Sequence, residues 1–142
     1  MQSKTFTLDW AGKTLTAEFS DLTAHANGSV MLKLGETTIL VTAVMSNRGG
    51  NGSYFPLSVE FEEKFYAAGA LLGSRFNRRE GRPSDVAILS ARLIDRTIRP
   101  LFNQSIRQDI QVVVSVLALG DEDPDVLGII GASLALGVSD IP

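Results

Sequence analysis

Eight of the nine arginines in this 142-residue chain crowd into one stretch, at positions 75, 78, 79, 82, 92, 96, 99 and 107. Only Glu80, Asp85 and Asp95 oppose them there, a local surplus of five positive charges in a chain of formal net charge −3. Charge segregated this sharply directs one surface at an anionic partner. Planar guanidiniums match phosphate oxygens, and Phe76 in their midst offers a ring on which a nucleobase can stack.

Two kinds of backbone must position these side chains. Gly69, Gly73 and Gly81, with Ser74, Asn77 and Pro83, predict a long irregular loop, a feature that is functional or disordered in compact domains. From Ser84 onward apolar residues return at helical spacing, which predicts a helix over about 85–98. Ser84 suits its N-cap, Asp85 suits the positive end of its dipole, and Pro100 biases Arg99 out of helical geometry. At about 100° per residue, Val86, Leu89, Leu93, Ile94, Thr97 and Ile98 are expected on the buried side, with Arg92, Arg96 and Arg99 within about 60° of one another on the flank. Arg96, on this packed helix, is expected to support stability as well as binding.

Like charges at i and i+4, as in Arg92 and Arg96, cost a few tenths of a kcal/mol in an isolated helix. Asp95 stands three residues from Arg92 and four from Arg99 and can compensate, and arginine stems can simply cover apolar surface. Structural and anion-binding readings therefore both stand for the helix. Arginines 75, 78, 79 and 82 on the adjoining glycine-rich loop shift the balance to anion binding.

A chain of this length with 44% apolar residues forms one domain with a real core. Cysteine is absent, which rules out disulfide and thiolate chemistry and fits a reducing cytoplasm. Met1-Gln2-Ser3-Lys4-Thr5 lacks the basic and apolar tract of a secretory signal, and the longest apolar stretches are too short or too glycine-rich to span a bilayer. The expectation is a soluble protein without a membrane partner. An isoelectric point near 5.1 speaks against nucleic acid for the chain as a whole, but local segregation outweighs the total.

Period-two alternation over 6–10 and 15–19 around Ala11-Gly12-Lys13 predicts a hairpin. A second follows over 29–34 and 37–45 through Gly35-Glu36. Apolar groups on both faces of 37–45 and of 110–119 predict two central strands. The run 47–53, rich in glycine and asparagine, is expected to be a mobile loop, and 56–61 another strand. Residues 124–138 are expected to form a buried helix capped by Asp123, with Pro124 at its first position and Gly128, Gly131, Ala132 and Ala135 admitting a close neighbour.

Other signals carry less. Asp121, Asp123 and Asp125 imitate a calcium loop, yet Val126 and Ala132 stand where glycine and glutamate are needed, so helix capping explains them. Glu60 and Glu62 share one strand face and Glu63 the other, which suits a solvated strand end better than magnesium. His25 is the sole histidine and completes neither a metal site nor a triad. Gly128-Ile129-Ile130-Gly131 has the outline of a KH-type clamp without basic flanks, and helix packing accounts for it better.

The runs Phe65-Tyr66-Ala67-Ala68-Gly69, Arg78-Arg79-Glu80-Gly81-Arg82-Pro83-Ser84 and Ala91-Arg92-Leu93-Ile94-Asp95-Arg96-Thr97-Ile98-Arg99-Pro100-Leu101-Phe102 resemble the first core domain of the bacterial polynucleotide phosphorylase family. Phe55-Pro56-Leu57 and Ile130-Gly131-Ala132-Ser133 extend the likeness over essentially the whole chain. The resemblance implies an α+β, RNase PH-like fold, related to the ribosomal protein domain 2-like βαβ group, with a mixed β-sheet packed against helices. It implies that 1–142 is the N-terminal part of that domain, ending before its C-terminal half.

The same resemblance implies a cytoplasmic parent enzyme that degrades mRNA from the 3′ end with inorganic phosphate, releasing nucleoside diphosphates. In the family, magnesium and phosphate are held by a second core domain, so no catalytic or metal-binding residue is expected here. An RNA-gripping loop carries over at Phe76, Arg78, Arg79 and Arg82, and a basic helix behind it at Arg92, Arg96 and Arg99. The commonest bacterial pattern sets two phenylalanines before the basic pair; here Arg75 and Asn77 flank a single Phe76, which moves weight from stacking to electrostatic contact. Single-stranded RNA, inorganic phosphate, the second core domain and the other members of a ring-shaped homotrimer are the implied partners. Two further readings stand beside this one: a scaffold half-domain whose arginines make interdomain salt bridges, and a small-molecule anion site on the same arginines.

Overall fold

The computed structural model describes residues 3–50, 52–71 and 81–142. In chain order these form β1 (Ser3–Trp10), β2 (Lys13–Ser20), β3 (Gly28–Leu34), β4 (Thr37–Gly49), β5 (Leu57–Glu62), α1 (Asp85–Ile98), β6 (Gln108–Ala118) and α2 (Pro124–Gly137). One sheet runs in the order β1-β2-β3-β4-β6-β5. Its neighbours are antiparallel except β5 and β6, which run parallel and are joined through α1, the crossover that parallel strands require. Both helices pack on the same face, α1 against β5 and α2 against β3 and β4. This is the mixed sheet with helices that the α+β expectation describes.

Turn chemistry sets the hairpin registers. Ala11 and Gly12 take φ of 55° and 81°, the pair of positive values that a two-residue type I′ turn needs, and Gly35 opens the second hairpin at φ 57°. The two strands expected to be central are so: β4 lies between β3 and β6, and β6 between β4 and β5. Ile39, Val41, Ala43, Ile110, Val112 and Val114 make the core beneath the helices. The opposite face is covered less completely than the sequence pattern implies, because Thr38, Leu40, Thr42 and Val113 are only half-buried and Val44 is exposed.

The expected loop at 47–53 is a strand for its first part. β4 continues to Gly49, which pairs with Gln108 after a register irregularity at Met45/Gly49, and the Gly50 N–H donates to the Arg107 carbonyl at 2.7 Å. Ladder bonds to β6 satisfy this backbone, which outweighs the weak strand preference of glycine and asparagine. Asn51 lies outside the described residues.

α2 is seated through its small residues. The Asp123 side chain accepts from the Asp125 N–H, Pro124 takes the first helical position, and Leu127, Gly128, Gly131, Ala132 and Ala135 are buried. A Cβ on Gly131 would come within 2.5 Å of Val41 Cγ2, and one on Gly28 of β3 within 2.1 Å of the Ala135 carbonyl oxygen. Burial is not complete around this helix, since Val126, Ser133 and Val138 face outward.

α1 begins as expected, with Ser84 Oγ accepting from the Ala87 N–H at 3.0 Å. Its buried stripe differs from the expected one. Ala87, Ser90, Ile94 and Ile98 face inward, while Val86, Leu89, Leu93 and Thr97 are exposed. The reason is close approach: a Cβ on Gly128 of α2 would come within 2.8 Å of Ile94 Cδ1, so the helices meet where small residues allow contact. Ser90 tolerates burial because its hydroxyl donates to the Val86 carbonyl at 2.9 Å. Arg99 also departs from expectation. It keeps right-handed helical angles despite Pro100, and the chain continues into a 3-10 turn at Arg99–Leu101.

Candidate nucleic-acid interface

The seating of α1 decides which arginines are available. Turning Ala87, Ser90, Ile94 and Ile98 inward places Arg92 and Arg96 on the outer flank, one turn apart and exposed. Among the described residues neither has a carboxylate partner or another acceptor. Arg82, just before the Ser84 cap, is exposed and likewise without a partner among the described residues. Phe76, Arg78 and Arg79 lie outside the described residues, as does Arg75.

Arg99 is turned the other way. Its Nε donates to both Asp95 carboxylate oxygens at 3.1 Å, and its Nη2 donates to Asp95 Oδ1 at 2.7 Å and to the Leu57 carbonyl at 2.9 Å. Nη1 reaches the Phe55 carbonyl at 3.4 Å, and the guanidinium lies 5.8 Å from the centre of the Phe55 ring. The geometry therefore brings Arg82, Arg92 and Arg96 outward and uses Arg99 to fasten the end of α1 to the start of β5. Arg107 is spent locally as well, donating through Nη1 to the Gln104 and Ile106 carbonyls at 2.7 and 2.9 Å.

Asp95 serves Arg99 and leaves Arg92 uncompensated. Two like charges one turn apart on an exposed flank are relieved by an anion that approaches both, and a phosphodiester backbone does this. The start of the helix is held by a second clasp, in which Ser84 Oγ donates to Glu63 Oε2 at 2.6 Å. That contact links the end of the β5 strand segment to the α1 cap across the arginine-bearing stretch. Sequence reasoning assigned Ser84 the cap alone, and the Phe55 and Leu57 carbonyls no role. The only signal for the latter was that Phe55-Pro56-Leu57 and Arg99 belong to the same family-like pattern.

Among the described residues, no three histidine, cysteine, aspartate or glutamate side chains converge so as to hold a metal ion. Glu60 is engaged by Gln111 at 2.9 Å, Glu62 by Ser115 at 3.0 Å and Lys64 at 3.2 Å, and Asp123 by the α2 cap. No helix is long and apolar enough to cross a membrane among the described residues.

Known proteins match this geometry and sequence. A family model, the 3′ exoribonuclease family, domain 1, matches residues 11–142. The chain is 49% identical over 142 residues to polyribonucleotide nucleotidyltransferase of Staphylococcus epidermidis and 48% identical to that of Staphylococcus aureus, in each case over 99% of this chain. It spans 20% of the length of those relatives. A solved structure, the Archaeoglobus fulgidus exosome with RNA bound to the active site, superposes with a TM-score of 0.65 at 19% identity, over 99% of this chain and 52% of that one. The fold is RNase PH-like. With the family match covering all but the first strand, the chain belongs to the 3′ exoribonuclease family, as its RNase PH domain 1.

Proposed function

We propose that this domain grips single-stranded RNA for a phosphorolytic 3′-to-5′ exoribonuclease of the polyribonucleotide nucleotidyltransferase type. The observation that carries the reading is the pair Arg92 and Arg96: exposed, one turn apart, and without an acceptor among the described residues. Arg82, exposed just before the Ser84 cap, adds a further outward arginine. By resemblance, Phe76, Arg78 and Arg79 add a stacking ring and two further guanidiniums. Magnesium and inorganic phosphate then belong to other parts of a longer cytoplasmic polypeptide, which supplies the chemistry and assembles as a trimer around the RNA.

The scaffold reading is favoured at one residue, Arg99, whose hydrogen bonds are internal. It is not favoured at Arg92 and Arg96.

Binding of a labelled oligoadenylate across a potassium chloride series tests the proposal. Each phosphate neutralised on a single strand contributes about −0.7 to the log–log salt slope, so the Arg92→Ala/Arg96→Ala double variant should flatten it by about 1.4. The loss should be nearly equal for different homopolymers, because phosphate contacts carry no sequence information. An unchanged slope overturns the role of this flank. Inorganic phosphate or mononucleotide binding as tightly as the oligomer would replace RNA by a small anion.

A further inference from the structure

Past the end of β5 a 3-10 turn, Phe65–Ala68, holds two aromatic rings toward solvent: Phe65 is 45% exposed and Tyr66 59%. Its backbone is fixed. The Ala67 N–H donates to the Lys64 carbonyl at 2.9 Å, the Gly69 and Ala70 N–H groups donate to the Tyr66 and Phe65 carbonyls at 3.0 Å, and the Leu119 N–H just beyond β6 donates to the Ala67 carbonyl at 2.9 Å. Gly69 ends the turn at a φ of 67°, which glycine takes without strain. A ring carried on a fixed backbone loses little freedom when a ligand covers it. Among the described residues Tyr66 has no ring neighbour, and its hydroxyl has no hydrogen-bond partner.

The Ser84–Glu63 contact at 2.6 Å sets where this turn stands. Tyr66 follows Glu63 by three residues and Arg82 precedes Ser84 by two, so the ring and the exposed guanidinium both lie at the start of α1. We infer that Tyr66 stacks on a nucleobase of the bound strand, whose phosphates engage Arg82, Arg92 and Arg96. This contact rests on the RNA-gripping role proposed above and adds a residue to it. A nucleotide carries an anion and a flat apolar face in every repeat, and the surface here offers a partner to each: unpaired guanidiniums and an open ring with a wet hydroxyl at its tip. A protein segment seated on the same spot would need a carboxylate for Arg82 beside an apolar cover for the ring. Every base has a face to stack, so the contact raises affinity without selecting sequence, in keeping with phosphate contacts that are equally indifferent to it.

In the whole chain, Tyr66→Ala should weaken binding of a labelled oligoadenylate about tenfold. The ring is uncharged, so the log–log salt slope should stay at its native value, unlike the flattening expected at Arg92 and Arg96. Tyr66→Phe keeps the ring and should bind as the native chain does, whereas Tyr66→Leu keeps apolar bulk without a ring face and should bind as Tyr66→Ala. A strand of abasic ribose phosphate should not tell the native chain from Tyr66→Ala. Tyr66→Trp gives a direct reading: oligoadenylate should quench its added emission and the abasic strand should not, with the native chain, whose single tryptophan is Trp10, as the blank. Native affinity in Tyr66→Ala, with the slope still flattened in Arg92→Ala/Arg96→Ala, overturns the stacking and leaves the RNA reading in place. Equal losses for the abasic strand and oligoadenylate, or unquenched emission from Tyr66→Trp, overturn the stacking as well. An unchanged slope in the arginine variant overturns the flank and the stacking together.

Discussion

α1 and α2 have equal length, cap themselves with a side chain and lie on the same face of one sheet, yet they meet it differently. α2 presents glycines and alanines and sinks until its backbone touches β3 and β4. α1 buries Ala87 and Ser90 beside Ile94 and Ile98, and leaves Val86, Leu89 and Leu93 outside. Which face a helix buries is decided here by what lets it approach its neighbour. The consequence for function is direct: had the larger apolar residues of α1 turned inward, Arg92 and Arg96 would have rotated with them, about 100° round the helix.

The sharpest way to break this comparison sets two adjacent residues of α1 against each other. Ile94 is fully buried and fills the space that Gly128 leaves open, whereas Leu93 is 47% exposed. Ile94→Ala should cost about 2–5 kcal/mol in urea unfolding, by transfer and cavity terms together. Leu93→Ala should stay within about 0.5 kcal/mol, as outward-facing positions do. Equal losses would mean that α1 sits in the rotation its sequence pattern first implied.

A smaller effect separates the arginines. Arg99→Ala removes the Asp95 pair and the donors to the Phe55 and Leu57 carbonyls, at a half-exposed site, and should cost about 1–2 kcal/mol. Arg96→Ala should leave thermal stability within about 0.5 kcal/mol and weaken RNA binding instead. This reverses the expectation that Arg96 supports the fold. Thermal melts of the two variants beside a salt titration separate the roles, and a stability loss at Arg96 matching that at Arg99 would return the helix arginines to the scaffold.

Much of this architecture was legible in the residues. Turn chemistry at Gly12 and Gly35, the two-faced apolar runs of β4 and β6, and the caps at Ser84 and Asp123 act locally, so local pattern reports them. The rotation of α1 was not legible, because a wide apolar arc over Val86–Ile98 is compatible with several faces and the choice is made by Gly128 on another element. The job of Arg99 was hidden for a similar reason: two of its acceptors are backbone carbonyls, which no side-chain identity announces. Residues 47–49 were misread because the ladder with β6 supplies what their composition lacks.

The smallest effect expected concerns how the two helices are started. α1 is anchored by the Ser84–Glu63 clasp. The segment before α2 is tied to the hairpins through two residues: buried Thr37 donates to the Glu122 carbonyl at 3.0 Å and accepts from the Gly120 N–H at 3.0 Å, and Lys13 pairs with the Glu122 carboxylate. The hydrogen bond that Lys13 donates to Glu122, then the charge of that carboxylate and, behind an opposing desolvation, that of Asp121 hold the Lys13 pKa above the ordinary lysine value. A raised folded-state pKa means that the pairing contributes fully below the unfolded value and is lost as pH rises through the folded one. The stability difference between the native chain and Lys13→Met should therefore be constant through neutral pH and close only in strong alkali. Lys13 is exposed, so the difference should be small, and salt should shrink it. A difference that persists unchanged at alkaline pH would assign the tie to packing of the lysine stem, and leave Thr37 as the polar link, among the described residues, between the hairpins and the start of α2.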